Sequence, residues 1–209
     1  FDGLVLIMDE NNRVSDYALY SLGLLNQEEL KDTVQKIIKN EPIEKKEVIA
    51  YEYDEIIGLK YKLVLNTDYY KKESGIWVAK SKDTKYMKNI LDNALELEVV
   101  GVIKVSEDSP VTTTGVIGYT KQLTDYTINE INKTDIAKEQ KENEEINVFT
   151  GTKFSNGEFD INNLTLEQQK YLATLSEEEL VNVIQQYNES AKATYETNII
   201  KLGIVDLTD

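Results

Sequence analysis

The run Leu95-Glu96-Leu97-Glu98-Val99-Val100-Gly101-Val102-Ile103-Lys104 constrains the fold more than any other part of the chain. Its first half alternates apolar and charged residues with the period of two that a half-buried strand requires, and its second half is continuously apolar. That change is expected where a strand passes from a sheet edge or end into a centre covered on both faces. Such a strand needs partners beside it and a second layer of structure against it.

Partners are legible elsewhere. Gly3–Met8 reads as a buried strand closed by the turn Asp9-Glu10-Asn11-Asn12. Leu59–Leu65 alternates Leu59, Tyr61, Leu63 and Leu65 with Lys60, Lys62 and Val64, whereas 48–53 alternates only loosely and Gly58 separates the two. Ile76–Ala79 and Gly115–Tyr119 are short strand candidates, 69–74 reads as a loop, and 106–114, with Pro110 and three consecutive Thr, as another.

The second layer is helical. Ser15 is an N-cap for a short helix to Leu22, with Gly23 where a left-handed C-cap residue belongs. Asn26 with Glu29 resembles a capping box for a helix carrying Leu30, Val34, Ile37 and Ile38, stopped by Pro42. Asp83 caps a helix bearing Tyr86, Met87, Ile90 and Leu91. After residue 120 the pattern turns mainly helical: a stripe through Leu123, Tyr126, Thr127 and Ile131, then a polar helix over 135–145 expected to stand in solvent. A loop or small hairpin around Asn156-Gly157 follows, then a short helix capped by Thr165 and Gln168. A long helix from the Ser176/Glu179 capping box carries a stripe from Leu180 to Ile199 and ends at Gly203. Either an intramolecular core contact or a partner uses that stripe.

The expected fold class is therefore α+β: a small mixed sheet packed with helices, with an additional C-terminal helical region. The expected organisation is an α/β core over 1–128 and a mainly helical addition over 129–209.

Charge and composition narrow the function. Lys and Arg number 23 against 38 Asp and Glu, a net charge of −15, which repels nucleic acid and anionic membrane surfaces alike. Acidity of this kind would attract a basic peptide, though acidity alone more often just keeps a protein soluble. The chain contains no Cys and no His, which excludes disulfides, thiolate chemistry, the usual zinc sites and imidazole acid–base catalysis. No catalytic residue, metal ligand or cofactor is assigned. Asp9-Glu10-Asn11-Asn12-Arg13 fails as a calcium loop, because Arg13 holds a ligand position and the distal Glu is missing. Gly115-Val116-Ile117-Gly118 lacks the Lys and Ser or Thr of a P-loop, and its glycines instead suit close packing. Aromatic residues concentrate between Tyr51 and Trp77; Tyr69, Tyr70 and Trp77 are the candidate ligand or partner surface, with core packing as the competing use. The longest apolar run near the start, Leu4 to Met8, is far short of the roughly 20 residues of a membrane helix. The opening at Phe1, with no initiator Met and almost within a strand, suggests an excised segment.

Several of these segments together resemble one family. Gly3-Leu4-Val5-Leu6-Ile7-Met8, Ser15-Asp16-Tyr17, Leu22-Gly23-Leu24, Leu97-Glu98-Val99-Val100-Gly101-Val102-Ile103 and Gly118-Tyr119-Thr120-Lys121-Gln122-Leu123 follow one another as in the extracytoplasmic core of MacB-like permeases. Asp9 to Asn12, Tyr61-Lys62-Leu63-Val64-Leu65 with Tyr69-Tyr70, and Tyr195 to Leu207 look like the large FtsX-type permeases of low-GC Gram-positive bacteria. The resemblance covers 3–128 and touches 193–207; 130–192 has no counterpart in MacB proper. It implies a non-enzymatic domain on the extracellular face of the cell membrane, itself soluble. That domain binds an envelope substrate or partner and transmits motion driven by a cytoplasmic ABC ATPase, which acts through membrane helices of the same permease. A basic peptide or an envelope protein is the candidate ligand, and no nucleic acid is expected. The alternatives are an extracellular sensor or regulator signalling to a cell-wall hydrolase or kinase, and a secreted enzyme dependent on carboxylates.

Overall fold

The computed structural model describes residues 1–9, 11–42, 49–106, 116–154 and 160–205. In chain order the elements are β1 (Gly3–Met8), α1 (Asp16–Ser21), α2 (Gln27–Ile38), α3 (Tyr53–Ile56), β2 (Lys60–Lys62), β3 (Tyr70–Glu73), β4 (Ile76–Ala79), α4 (Thr84–Asn93), β5 (Glu96–Lys104), β6 (Val116–Tyr119), α5 (Lys121–Lys133), α6 (Asp135–Glu142), β7 (Ile146–Asn147), β8 (Thr152–Lys153), α7 (Leu166–Leu172), α8 (Glu177–Ala191) and α9 (Tyr195–Leu202). The class is α+β, with a small mixed sheet packed against helices, as the sequence patterns led one to expect. Among the described residues no helix is long and apolar enough to cross a membrane.

The chain forms two compact units: Phe1–Lys62 with Glu96–Leu123, and Leu63–Leu95 with Thr124–Asp209. The second unit thus includes a hairpin and a helix from before residue 128 as well as the C-terminal stretch.

The first unit holds a four-stranded sheet in the order β2-β5-β1-β6, with β1 and β5 parallel and the other pairs antiparallel. Leu4 pairs with Val99 and Val5 with Gly101, so Val100 is an extra residue at a bulge. One sheet face carries buried Leu4, Leu6, Met8, Leu97 and Val99; Ala18, Leu19 and Tyr20 of α1, with Leu22, Ile56 and Leu123, complete the buried apolar set among the described residues. The Tyr61 hydroxyl donates to the Leu22 carbonyl at 2.9 Å, fastening β2 to the end of α1. On the other face Lys60 and Lys62 reach Glu96 at 2.7 and 3.4 Å. β5 is central as expected, but Val100 and Ile103 remain 58% and 47% exposed, so its continuous apolar half is not covered on both faces. Gly118 does permit close packing: a Cβ there would lie 2.8 Å from Val5 Cγ2.

Local signals explain the caps. Ala18 N–H donates to Ser15 Oγ at 3.3 Å, and Gly23 sits at φ 72°. Asp9 closes the first turn by accepting from the N–H groups of Asn11 and Arg13 at 2.8 and 2.7 Å. Asn26 accepts from Glu28 N–H at 2.9 Å to start α2. The strand expected over 59–65 shortens to β2, and Tyr53–Ile56 is a helical turn. The Asn156-Gly157 turn, residues 107–114 of the expected loop and Gly115 of the expected strand lie outside the described residues.

The second unit differs from the sequence expectation in three places. Residues 70–73, expected in a loop, form β3, which pairs antiparallel with β4 through a turn in which Ser74 and Gly75 have φ of 47° and 87°. The polar helix expected in solvent is α6, whose Ile136, Ala137 and Gln140 are 1%, 0% and 0% exposed. The expected long C-terminal helix is broken into α8 and α9, with Thr194 as the new N-cap accepting from Thr197 N–H at 3.3 Å. Two apolar clusters form the core: Trp77, Ile131, Ile136, Ala137, Val148, Phe149, Leu202 and Ile204 in one, and Ile76, Val78, Leu172 and Val183 in the other.

Candidate functional site

The second unit contains a cleft of about 560 Å³, within the range of small-ligand sites. One wall is the end of β4 and the segment leading to α4, from Val78 to Asp83; the other is the polar face of α8. Tyr70, Tyr171 and Leu175 contribute apolar surface, and Lys201 of α9 adds an ammonium group.

Each wall is positioned by hydrogen bonds that follow from residue type. The carboxamide of Gln186 on α8 accepts from Ala79 N–H at 2.7 Å and donates to the Trp77 carbonyl at 2.7 Å. It therefore pairs with the outer edge of β4 as a neighbouring strand would, where Trp77 N–H already donates to the Val148 carbonyl at 3.1 Å. The Ser176/Glu179 capping box fixes the start of α8, with Ser176 N–H to Glu179 Oε2 at 2.9 Å. Asp83 caps α4 by accepting from Tyr86 N–H at 2.9 Å.

Beside the cleft, Glu73 accepts a short hydrogen bond from the Tyr171 hydroxyl and an ion pair from Lys80 at 2.9 Å. Burial works against the Glu73 carboxylate, but the Tyr171 and Lys80 bonds outweigh it and hold its pKa below the usual value. Burial, then the bond to Glu73, pushes the Tyr171 hydroxyl well above its usual range. Lys201 makes no hydrogen bond or ion pair among the described residues; its ammonium lies 4.3 Å from the Phe149 ring centroid and 5.6 Å from that of Tyr70. Desolvation lowers its pKa, with Glu189 acting in the opposite sense.

Behind the cleft is a polar core. Asn198 Nδ2 donates to Gln140 Oε1 at 2.8 Å and to Asn147 Oδ1 at 3.0 Å, while Asn147 Nδ2 donates to the Ser190 carbonyl at 2.6 Å. Gln140 Nε2 donates to the Ile146 carbonyl at 2.9 Å. The side chains of Gln140, Asn147 and Asn198 are essentially fully buried, so this network ties α6, β7, α8 and α9 together with directional bonds.

Of the three aromatic residues singled out from sequence, the structure brings only Tyr70 to the cleft lining. Trp77 is 9% exposed in the core, its indole N–H donating to Glu139 Oε2 at 2.8 Å, with Lys72 on the same carboxylate at 2.9 Å. Tyr69 is half-buried and does not line the cleft. Sequence reasoning missed Gln186, Glu178 and Lys201. The stripe from Leu180 signalled the apolar face of α8; its polar face, to which no sequence pattern assigned a role, lines the cleft. Among the described residues no group of three or more acidic side chains is placed to hold a metal ion.

Comparison of the chain with family models, with curated proteins and with solved structures found no match in any of the three.

Proposed function

We propose that the chain is the extracytoplasmic domain of an FtsX/MacB-type ABC-transporter permease, a binding and motion-transmitting element driven by a separate cytoplasmic ATPase through membrane helices of the same permease. One observation carries this reading. β1 and β5 pair in parallel although the whole of α1 to α4 intervenes, and β6 returns antiparallel beside β1 to lead into α5. That is the order in which the resembling segments occur, and the three strand segments among them lie in one sheet.

The function follows from stiffness and from a place to bind. Hydrogen-bonded strands in the first unit and the carboxamide network in the second resist internal deformation, and three covalent crossings, at 62/63, 95/96 and 123/124, join the units. A displacement applied to one end is then passed on as movement of whole bodies. The cleft supplies a site at which an envelope ligand or partner is gripped.

The test is the gene outside residues 1–209 and the product it encodes. The reading requires apolar segments of roughly 20 residues flanking this domain, and co-purification of an ATPase from detergent-solubilised membranes. Flanks without such segments, or a full-length product recovered wholly without membranes, would refute it.

A further inference from the structure

The charged groups lining the cleft are almost all committed to neighbours. Lys80 is paired with Glu73 at 2.9 Å, Asp83 caps α4, and Glu179 caps α8. Glu189 accepts from Gln185 Nε2 at 3.0 Å, and Lys82 reaches Asn182 Oδ1 across the cleft at 3.4 Å. Two remain with no hydrogen bond or ion pair among the described residues, and they have opposite sign: Glu178 in the first turn of α8, and Lys201.

Their spacing is set by the helix. Lys201 lies 4.3 Å from the Phe149 ring centroid, and Asn147, which accepts from Phe149 N–H at 3.0 Å, donates to the Ser190 carbonyl at 2.6 Å, so Lys201 stands near the C-terminal end of α8, where Glu189 also lines the cleft. Glu189 follows Glu178 by eleven positions, which at 1.5 Å per residue places the two ends of the cleft about 16 Å apart. An extended chain advances about 3.3 Å per residue, so the same span takes about five residues. Between the ends, the cleft offers groups that a peptide backbone bonds: the carboxamides of Asn182 and Gln185, and the backbone of the turn after β4 at Ser81.

We infer that the cleft binds a short extended peptide of about five residues with both termini free, its carboxylate against Lys201 and its α-ammonium against Glu178. A simple anion is disfavoured, because the lining carries four carboxylates, of Asp83, Glu178, Glu179 and Glu189, against three ammonium groups. A dipolar ligand meets each of these two charges with its opposite, and bonding to the Asn182 and Gln185 carboxamides displaces the long Lys82–Asn182 contact and the Gln185–Glu189 bond. The inference rests on the cleft and not on the permease assignment, so either can fail without the other.

The test uses the whole 209-residue chain and penta-L-alanine as probe, followed by amide chemical-shift titration. Saturable binding is expected, with shifts centred on Ala79, Asn182 and Lys201. Amidating the peptide's C-terminus is expected to weaken binding about tenfold, as is acetylating its N-terminus, each removing one charge-assisted contact. Lys201→Met is expected to cause the first loss and to make amidation silent; Glu178→Gln is expected to do the same for acetylation. Di-L-alanine, too short to span the site, is expected to bind at least about tenfold more weakly than the pentapeptide. Absence of saturable binding at millimolar peptide, or equal affinity for free and capped peptides, would overturn the inference.

Discussion

Replacing Asn198 tests how the second unit is held together. The side chain is 0% exposed and donates to Gln140 Oε1 at 2.8 Å and to Asn147 Oδ1 at 3.0 Å. Asn198→Leu keeps the branched shape, with bulkier methyl groups, and removes both donors. Asn147 Oδ1 retains the Phe149 N–H at 3.0 Å, but Gln140 Oε1 keeps only a long contact from Val148 N–H at 3.4 Å. Two net hydrogen bonds at about 1 kcal/mol each, plus partial desolvation of the stranded oxygen, give an expected loss of about 2–4 kcal/mol. Asn198→Asp is more severe, because an ionised carboxylate would face two amide oxygens; a further loss of at least about 2 kcal/mol is expected at neutral pH. Its carboxyl is raised in the folded state, so stability is present below the unfolded pKa and lost as pH rises through the folded one. The Asp variant should therefore recover toward the Leu variant on acidification from about pH 6 to pH 4. Urea unfolding followed by tryptophan fluorescence is the assay, since Trp77 is the chain's one Trp and lies in the second unit. A Leu variant within about 0.5 kcal/mol of wild type, or Asp and Leu variants equal at all pH values, would refute the reasoning.

Three other outcomes are expected. Gln186→Ala should leave Ala79 N–H and the Trp77 carbonyl unpaired, costing about 1–2 kcal/mol and accelerating Ala79 amide exchange at least about tenfold; unchanged exchange at Ala79 would contradict the strand-like pairing. Glu73 is ionised preferentially in the fold, so its contribution is complete above the ordinary carboxylate value of 4.5 and is lost as pH falls through the depressed folded value. The stability gap between wild type and Glu73→Gln in urea titrations should accordingly narrow below about pH 4.5, and a gap independent of pH would count against it. Gly203 has φ 69°, and a Cβ there would approach Asn66 Nδ2 at 3.0 Å and Ile131 Cδ1 at 3.1 Å. Gly203→Ala should then cost about 1–2 kcal/mol in thermal or urea unfolding, with no loss if the left-handed cap is unimportant.

Elements whose signal is local were readable in the sequence. The β5 alternation, the Ser15, Asp83, Thr165 and Ser176 caps, and Gly23 and Gly203 as left-handed C-caps all act within a few residues, and the structure uses each as expected. What failed were inferences that polarity means solvent. Gln140 made α6 look exposed, yet its carboxamide is consumed by the Ile146 carbonyl and by Asn198, which no periodicity records. The hairpin of β3 and β4 was hidden because Lys71 and Lys72 break the alternation, one of them being drawn to Glu139 from a distant helix. The break between α8 and α9 occurs where the Ser190 carbonyl is taken by the Asn147 side chain, a tertiary bond invisible to a helical stripe. The cleft depended on such long-range placements. Tyr70 was identified from aromatic density, whereas Lys201 and Glu178 carry no sequence signal that sets them apart from other charged residues.

The most direct measurement of the central claim exploits the absence of cysteine from residues 1–209, with the unsubstituted full-length product as the labelling control. Glu167→Cys, at an exposed position in the first turn of α7, is introduced into the full-length gene product and probed on intact cells with a membrane-impermeant maleimide. The account predicts labelling of intact cells, with the labelled protein sedimenting with membranes. Labelling only after lysis, or recovery of the labelled protein outside the membrane fraction, would contradict it.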